Sequence, residues 1–148
     1  MAHMALPLVI GSDHAGFALK ERLKQELDRL GVQYRDTGPS SSDAVDYPDF
    51  AHKVAEAVSR GEAERGLLVC GSGQGMAMAA NRHKGVRASV PWNEETARLS
   101  REHNDSNVLA LGARTLPEGE PEKILKVWLE TPFGQGRHER RVRKIDQE

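Results

Sequence analysis

The chain predicts an α/β fold: a three-layer α/β/α sandwich around a parallel sheet of five strands. Two observations carry the prediction. Short apolar runs alternate with helical patterns five times over, and strands joined through helices pair in parallel. The central run, Leu67-Leu68-Val69-Cys70, is apolar without alternation, as suits a strand covered on both faces.

The first run, Leu6 to Ile10, ends at Gly11-Ser12-Asp13-His14. A helix follows with Leu19, Leu23, Leu27 and Leu30 on one face and Gly31 at its C-terminal stop. Val32 to Asp36 reads as the second strand. Thr37 to Asp46 is a loop rich in Ser, Gly, Pro and Asp that leads through Tyr47-Pro48 into a helix with Phe50, Val54 and Val58 on one face, and Gly61 lies just past its end. Leu67 to Cys70 is the third strand. The helix from about Gly75 to Lys84 is packed with Ala and Met, small enough to lie close on a sheet. Val86 to Val90 is the fourth strand, and Asn93 caps a helix with Glu94 and Glu95 in its first turn. That helix runs to His103. Asn104-Asp105-Ser106 turns the chain into the fifth strand, Asn107 to Leu111. A last amphipathic helix carries Ile124, Leu125, Trp128 and Leu129, and Pro132 to Gly136 breaks it before a basic tail, Arg137 to Lys144.

A chain of 148 residues supports one domain, with residues 137–148 as its tail. The formal net charge of −1 gives no global field to recruit nucleic acid or an anionic membrane. No apolar run approaches the roughly 18 residues of a membrane span. Met1-Ala2-His3-Met4 reads as a cloning remnant rather than a secretory leader. The single cysteine cannot close an internal disulfide, so a cytoplasmic location is expected.

In parallel sheets of this kind ligands sit at the carboxyl ends of the strands. Asp13, His14, Cys70, Ser72 and Arg114 collect there, whereas His103 precedes its strand. After Cys70, three glycines fall within five residues: Gly71, Gly73 and Gly75. Such a turn aims backbone N–H groups and a helix dipole at whatever lies above the cysteine. The same field favours thiolate over thiol, making Cys70 a candidate base or nucleophile. The competing reading is a small buried cysteine followed by a glycine turn.

Familiar glycine-loop assignments fail on counting. A dinucleotide fingerprint or a Walker loop starting at Gly71 needs Gly at 76, where Met76 stands, and a fingerprint starting at Gly73 meets Met78. A cysteine-phosphatase cradle would put arginine at 76. No Cys/His cluster has metal spacing, so a metal-free, cofactor-free mechanism is expected. A thiolate to move a carbon-bound proton, backbone donors for an anionic intermediate and arginines for a phosphate suit enediolate isomerisation of a sugar phosphate.

The motifs Gly11-Ser12-Asp13-His14-Ala15-Gly16-Phe17, Asp46-Tyr47-Pro48, Cys70-Gly71-Ser72-Gly73, Ser100 to Asn107 and Gly136 to Val142 stand in one order over Leu8 to Val142. In this the chain resembles the B-type ribose-5-phosphate isomerases, a family that includes the galactose-6-phosphate isomerase subunits. The resemblance implies a Rossmann-like sheet and a homodimer, or dimer of dimers, with sites at the subunit interface. It implies interconversion of ribose 5-phosphate and ribulose 5-phosphate, with Cys70 as the base between C2 and C1. Amides of Gly71 to Gly75 and the Ser72 hydroxyl would stabilise the enediolate. Some lineages use a glutamate a few residues on, but Gln74 and Gly75 stand here and neither can act as a base. His103 would open the furanose, with Asp13 and Asn104 on the ring oxygen and hydroxyls; its place near a helix C-terminus favours the imidazolium. His14, Arg114, Arg137 and Arg141 would hold the phosphate, the tail arginines reaching into the partner's site, and Tyr47 would touch substrate. Isomerisation of a six- or four-carbon sugar phosphate, or a flavodoxin-like binding module, are the alternatives.

Overall fold

The computed structural model describes residues 5–148, so the stretch read as a cloning remnant lies outside the described residues. Five strands, β1 (Leu6–Ser12), β2 (Tyr34–Asp36), β3 (Ala63–Cys70), β4 (Ala88–Ser89) and β5 (Val108–Gly112), form one sheet, paired in parallel in the order β2-β1-β3-β5-β4. Helices α1 (Phe17–Leu30), α2 (Tyr47–Ser59), α3 (Gln74–Ala80), α4 (Glu94–Glu102) and α5 (Glu120–Glu130) connect and follow them, and α6 (Arg137–Ile145) forms the tail. The predicted α/β sandwich with a five-stranded parallel sheet is observed.

The layers follow from side-chain alternation along the strands. Leu8, Ile10, Leu67, Val69, Leu109 and Leu111 pack with α1, α4 and α5 through Leu23, Leu27, Ala97, Ile124 and Trp128. Val9, Leu68, Cys70, Val108 and Ala110 face α2 and α3 through Val54, Ala55, Met76 and Ala80. Both clusters are buried, and fully burying each such large apolar side chain contributes about 1.5–3 kcal/mol.

Several element ends differ from the sequence reading. β3 begins at Ala63 rather than Leu67, because β1 runs beside it from Leu6 and supplies hydrogen-bonding partners that far. Its Arg65 stacks on the Trp128 ring and donates to the Trp128 carbonyl, which accommodates a charged residue in the strand. β4 shrinks to two residues and β2 to three, since both are sheet edges paired on one side only. α3 stops at Ala80, and β5 is shifted one residue, to Val108–Gly112. Asn93 does cap α4, in a reciprocal box with Thr96.

Candidate active site

The strand order reverses direction between β1 and β3, the place where parallel sheets leave a crevice at their carboxyl ends. A cavity of about 490 Å3 opens there, lined by Asp13 and His14 from the end of β1, Cys70, Gly71, Ser72 and Gly75 from the turn after β3, Arg114 from beyond β5, and Tyr47 from α2. A depression of similar size, about 480 Å3, lies beside α1, but its Arg22 and Arg29 are already paired with Glu122 and Glu26.

Cys70 closes β3 and is 5% exposed. The Gly73 N–H donates to its Sγ at 3.1 Å. The expected drop in thiol pKa does not occur: burial pushes the Cys70 thiol up, the N–H groups of Met76, Gly73 and Ser72 pull it down without cancelling burial, and the Asp13 carboxylate adds to the rise. The turn needs glycine at 73, where φ is 81° and a Cβ would press on the β5 backbone at 3.2 Å. Glycine at 75 lets the Tyr47 ring cover that position, since a Cβ there would lie 2.5 Å from it. A larger side chain at 75 would have to displace that ring.

Around the thiol the polar groups are held in place. The Gly16 N–H donates to Asp13 Oδ1 at 2.8 Å, and the Asp13 N–H donates to the Val69 carbonyl at 3.1 Å. The Val45 N–H donates to His14 Nδ1 at 3.2 Å, which assigns the ring proton to Nε2 and leaves that N–H as a donor. The Gln74 N–H donates to Ser72 Oγ at 3.3 Å, so the Ser72 hydroxyl keeps its own proton to give. The N–H groups of Ala113 and Arg114 donate to the carbonyls of Cys70 and Gly71, at 2.7 and 2.9 Å, and bind the loop carrying Arg114 to the glycine turn.

His103, Asn104, Arg137 and Arg141 lie elsewhere in the chain. His103 caps the C-terminal end of α4, as the sequence placed it, and Asn104 follows in the turn that enters β5. Cys70 pairs with Gly112 at the far end of β5, about 13 Å of strand away from Val108. Asn104 instead borders a cavity with Arg87, Ser89, Ile145 and Asp146. Arg137 and Arg141 are exposed on α6, four residues apart and so on one helical face. One chain thus carries two separate constellations at opposite ends of its sheet.

Sequence reasoning missed Thr115, which lines the Cys70 cavity beside Arg114 and follows β5 at the same strand-end level. The topological argument that picked out Arg114 covers it equally. It also missed Arg101, 5% exposed, which donates to Asp105 Oδ1 at 2.9 Å and to the carbonyls of Ser106 and Thr131 at 2.6 and 3.0 Å, bracing the turn that presents His103 and Asn104. Among the described residues, no helix is long and apolar enough to cross a membrane, and no three His, Cys, Asp or Glu side chains converge as metal ligands.

The chain is similar to known proteins over nearly its whole length. The family model described as Ribose/Galactose Isomerase matches residues 8–145. The chain is 43% identical over 138 residues to ribose-5-phosphate isomerase B of Escherichia coli, covering 93% of each. The solved ribose-5-phosphate isomerase B of Clostridium thermocellum superposes with a TM-score of 0.93 at 46% identity, covering 96% of both chains. That of Mycoplasma genitalium, solved with bound ribulose-5-phosphate, gives a TM-score of 0.92 at 41% identity, covering 98% of this chain and 97% of the other.

Proposed function

Because this chain belongs to the ribose/galactose isomerase family, we propose that it interconverts ribose 5-phosphate and ribulose 5-phosphate through an enediolate. Its class is that of an aldose–ketose isomerase of sugar phosphates. Ribose 5-phosphate is the proposed substrate because the relatives named above are ribose-5-phosphate isomerases, one of them holding ribulose-5-phosphate. The observation that carries the chemistry is the cavity wall on which Cys70, the glycine-turn amides, His14 and Arg114 meet.

In the proposed reaction His103 gives a proton to the furanose ring oxygen as its bond to C1 breaks, and the C1 hydroxyl proton passes to solvent, from which His103 is reprotonated. Asp13 and Asn104 hold the ring oxygen and hydroxyls. The Cys70 thiolate then takes the C2 proton, the C–H electrons form the C1–C2 double bond, and negative charge moves to the C1 oxygen. Amides of Gly71 to Gly75 and the Ser72 hydroxyl stabilise that oxyanion. The thiol returns the proton to C1 while the C2 hydroxyl proton passes to the C1 oxygen, leaving the ketose. Each proton lost is regained, so the scheme asks for no oxidant, and Cys70 needs no metal to act.

The raised thiol pKa means that Cys70 rests as the thiol and the thiolate is the minor, reactive form; the turn amides that face the sulfur are the groups that favour it. Two constellations at opposite ends of one sheet support a site shared between two copies of the chain. In that arrangement Cys70, Asp13, His14, Ser72, Tyr47 and Arg114 come from one copy, and His103, Asn104, Arg137 and Arg141 from its partner.

A spectrophotometric assay of ketose formation tests the reading. Ribose 5-phosphate should turn over with a higher kcat/KM than galactose 6-phosphate or allose 6-phosphate, unaffected by EDTA. Preference for a six-carbon substrate, or loss of activity with EDTA, overturns it.

A further inference from the structure

The rings of His103 and His138 stack, with centroids 4.5 Å apart and planes 18° from parallel. His103 ends α4, and His138 lies in the first turn of α6. The joint between them is built from the backbone. The Gly134 N–H donates to the Glu102 carbonyl at 3.0 Å, which folds the chain back onto the end of α4, and the His138 N–H donates to the Gln135 carbonyl at 3.2 Å. Arg101 ties the same turn to the end of α5 through the Thr131 carbonyl.

A catalytic imidazole is ordinarily oriented by a hydrogen bond to its second nitrogen. Among the described residues nothing hydrogen-bonds to the ring of His103, which is exposed. The stacked ring of His138 is the contact that can fix its plane. We propose that His138 is a positioning residue for His103, a flat aromatic stop that aims the imidazole at the furanose ring oxygen. The proposal rests on the ring-opening role of His103. Local electrostatics support it: burial, then His103 and the guanidiniums of Arg137 and Arg141, push the His138 imidazole down against an opposing Glu102. His138 therefore favours the neutral form, and a neutral ring attracts an imidazolium across its face where a second cation would repel it.

The test uses His138→Ala, His138→Phe, His103→Asn and the His103→Asn/His138→Ala double variant. Steady-state rates are measured on ribose 5-phosphate, together with solvent deuterium exchange into ribulose 5-phosphate, which needs no ring opening. His138→Ala should lower kcat on ribose 5-phosphate about tenfold, with KM within about twofold and exchange into ribulose 5-phosphate unchanged, a loss expected when a proton donor is misaimed. His138→Phe keeps a flat ring without a titratable nitrogen and should recover most of the rate. The double variant should be no slower than His103→Asn alone.

A His138→Ala enzyme with wild-type rates overturns the proposal while a defective His103→Asn leaves the ring-opening role standing. A KM raised in both directions and not rescued by Phe also overturns it, making His138 a phosphate ligand. A wild-type His103→Asn fells the ring-opening role and the proposal together. Should Ala fray α6, the Phe variant decides alone: wild-type rates support stacking, and a tenfold loss of kcat overturns it.

Discussion

The Gly73 N–H points at the Cys70 sulfur from 3.1 Å, yet the thiol it faces is harder to ionise than a free cysteine. Both facts come from one piece of geometry. The turn that aims the amide also seals the sulfur against the α2–α3 layer, and desolvation exceeds what the donors return.

Alkylation of Cys70 should therefore be slow at neutral pH. With iodoacetamide and no substrate, its rate should climb about tenfold per pH unit, with a midpoint above the ordinary thiol value of about 8.5. A midpoint below that value would mean that the turn field outweighs burial.

Mixing should expose the shared site. Cys70→Ala and Arg141→Ala subunits, each inactive or weak alone, should form heterodimers in which one site carries both lesions and the other neither. Recovery of up to about half the wild-type activity per heterodimer follows from that count. Heterodimers shown to form yet remaining inactive would place Arg141 and Cys70 in one subunit's site. Arg141→Ala alone should weaken substrate binding by roughly 1.5–3 kcal/mol, the worth of a hydrogen bond to a charged group.

Acid stability should hinge on Asp36. Burial pushes its carboxyl up, but Lys20 Nζ at 2.8 Å from both oxygens, the Gly38 N–H and Lys24 together hold it below the ordinary range. A depressed carboxylate stabilises the fold above its unfolded pKa, about 3.9, and that contribution is lost as pH falls through the lower folded value. Lys20 is fully buried, so Asp36→Asn would take away its closest counter-charge and leave the Pro39 carbonyl at 2.8 Å and Glu21 at 3.8 Å, at a cost on the order of 3 kcal/mol. Urea unfolding at pH 7 should show that loss, and the variant's stability should change less than the wild type's between pH 5 and pH 2. An Asp36→Asn protein as stable as wild type would mean that the pair contributes nothing. The pair also roots the loop that carries Val45 to His14, so the variant's KM should rise.

Much of this architecture was legible because apolar period and glycine placement are local signals. Gly31 ends α1 in the left-handed conformation, and Asn93 caps α4. The edges were not: β4 pairs with only Val108 and Leu109 of β5, a matter of pairing rather than of residue type. At the site, strand-end logic found Asp13, His14, Cys70 and Arg114. It could not weigh burial against backbone donors at Cys70, since both come from the same folded turn. Nor could it foresee that His103 and Cys70 lie at opposite ends of the sheet, or that the His138 ring covers that of His103. Contacts between α4 and α6 bring together residues 35 positions apart in sequence that share no periodic pattern.

The central claim, that Cys70 carries the proton between C2 and C1, is tested most directly by solvent isotope exchange. Ribose 5-phosphate incubated with wild-type enzyme in deuterium oxide should take up deuterium at carbon, read by NMR. The Cys70→Ala enzyme should show no uptake while still binding the sugar phosphate and keeping its circular dichroism spectrum. Deuterium uptake by Cys70→Ala at near wild-type rate would contradict the account.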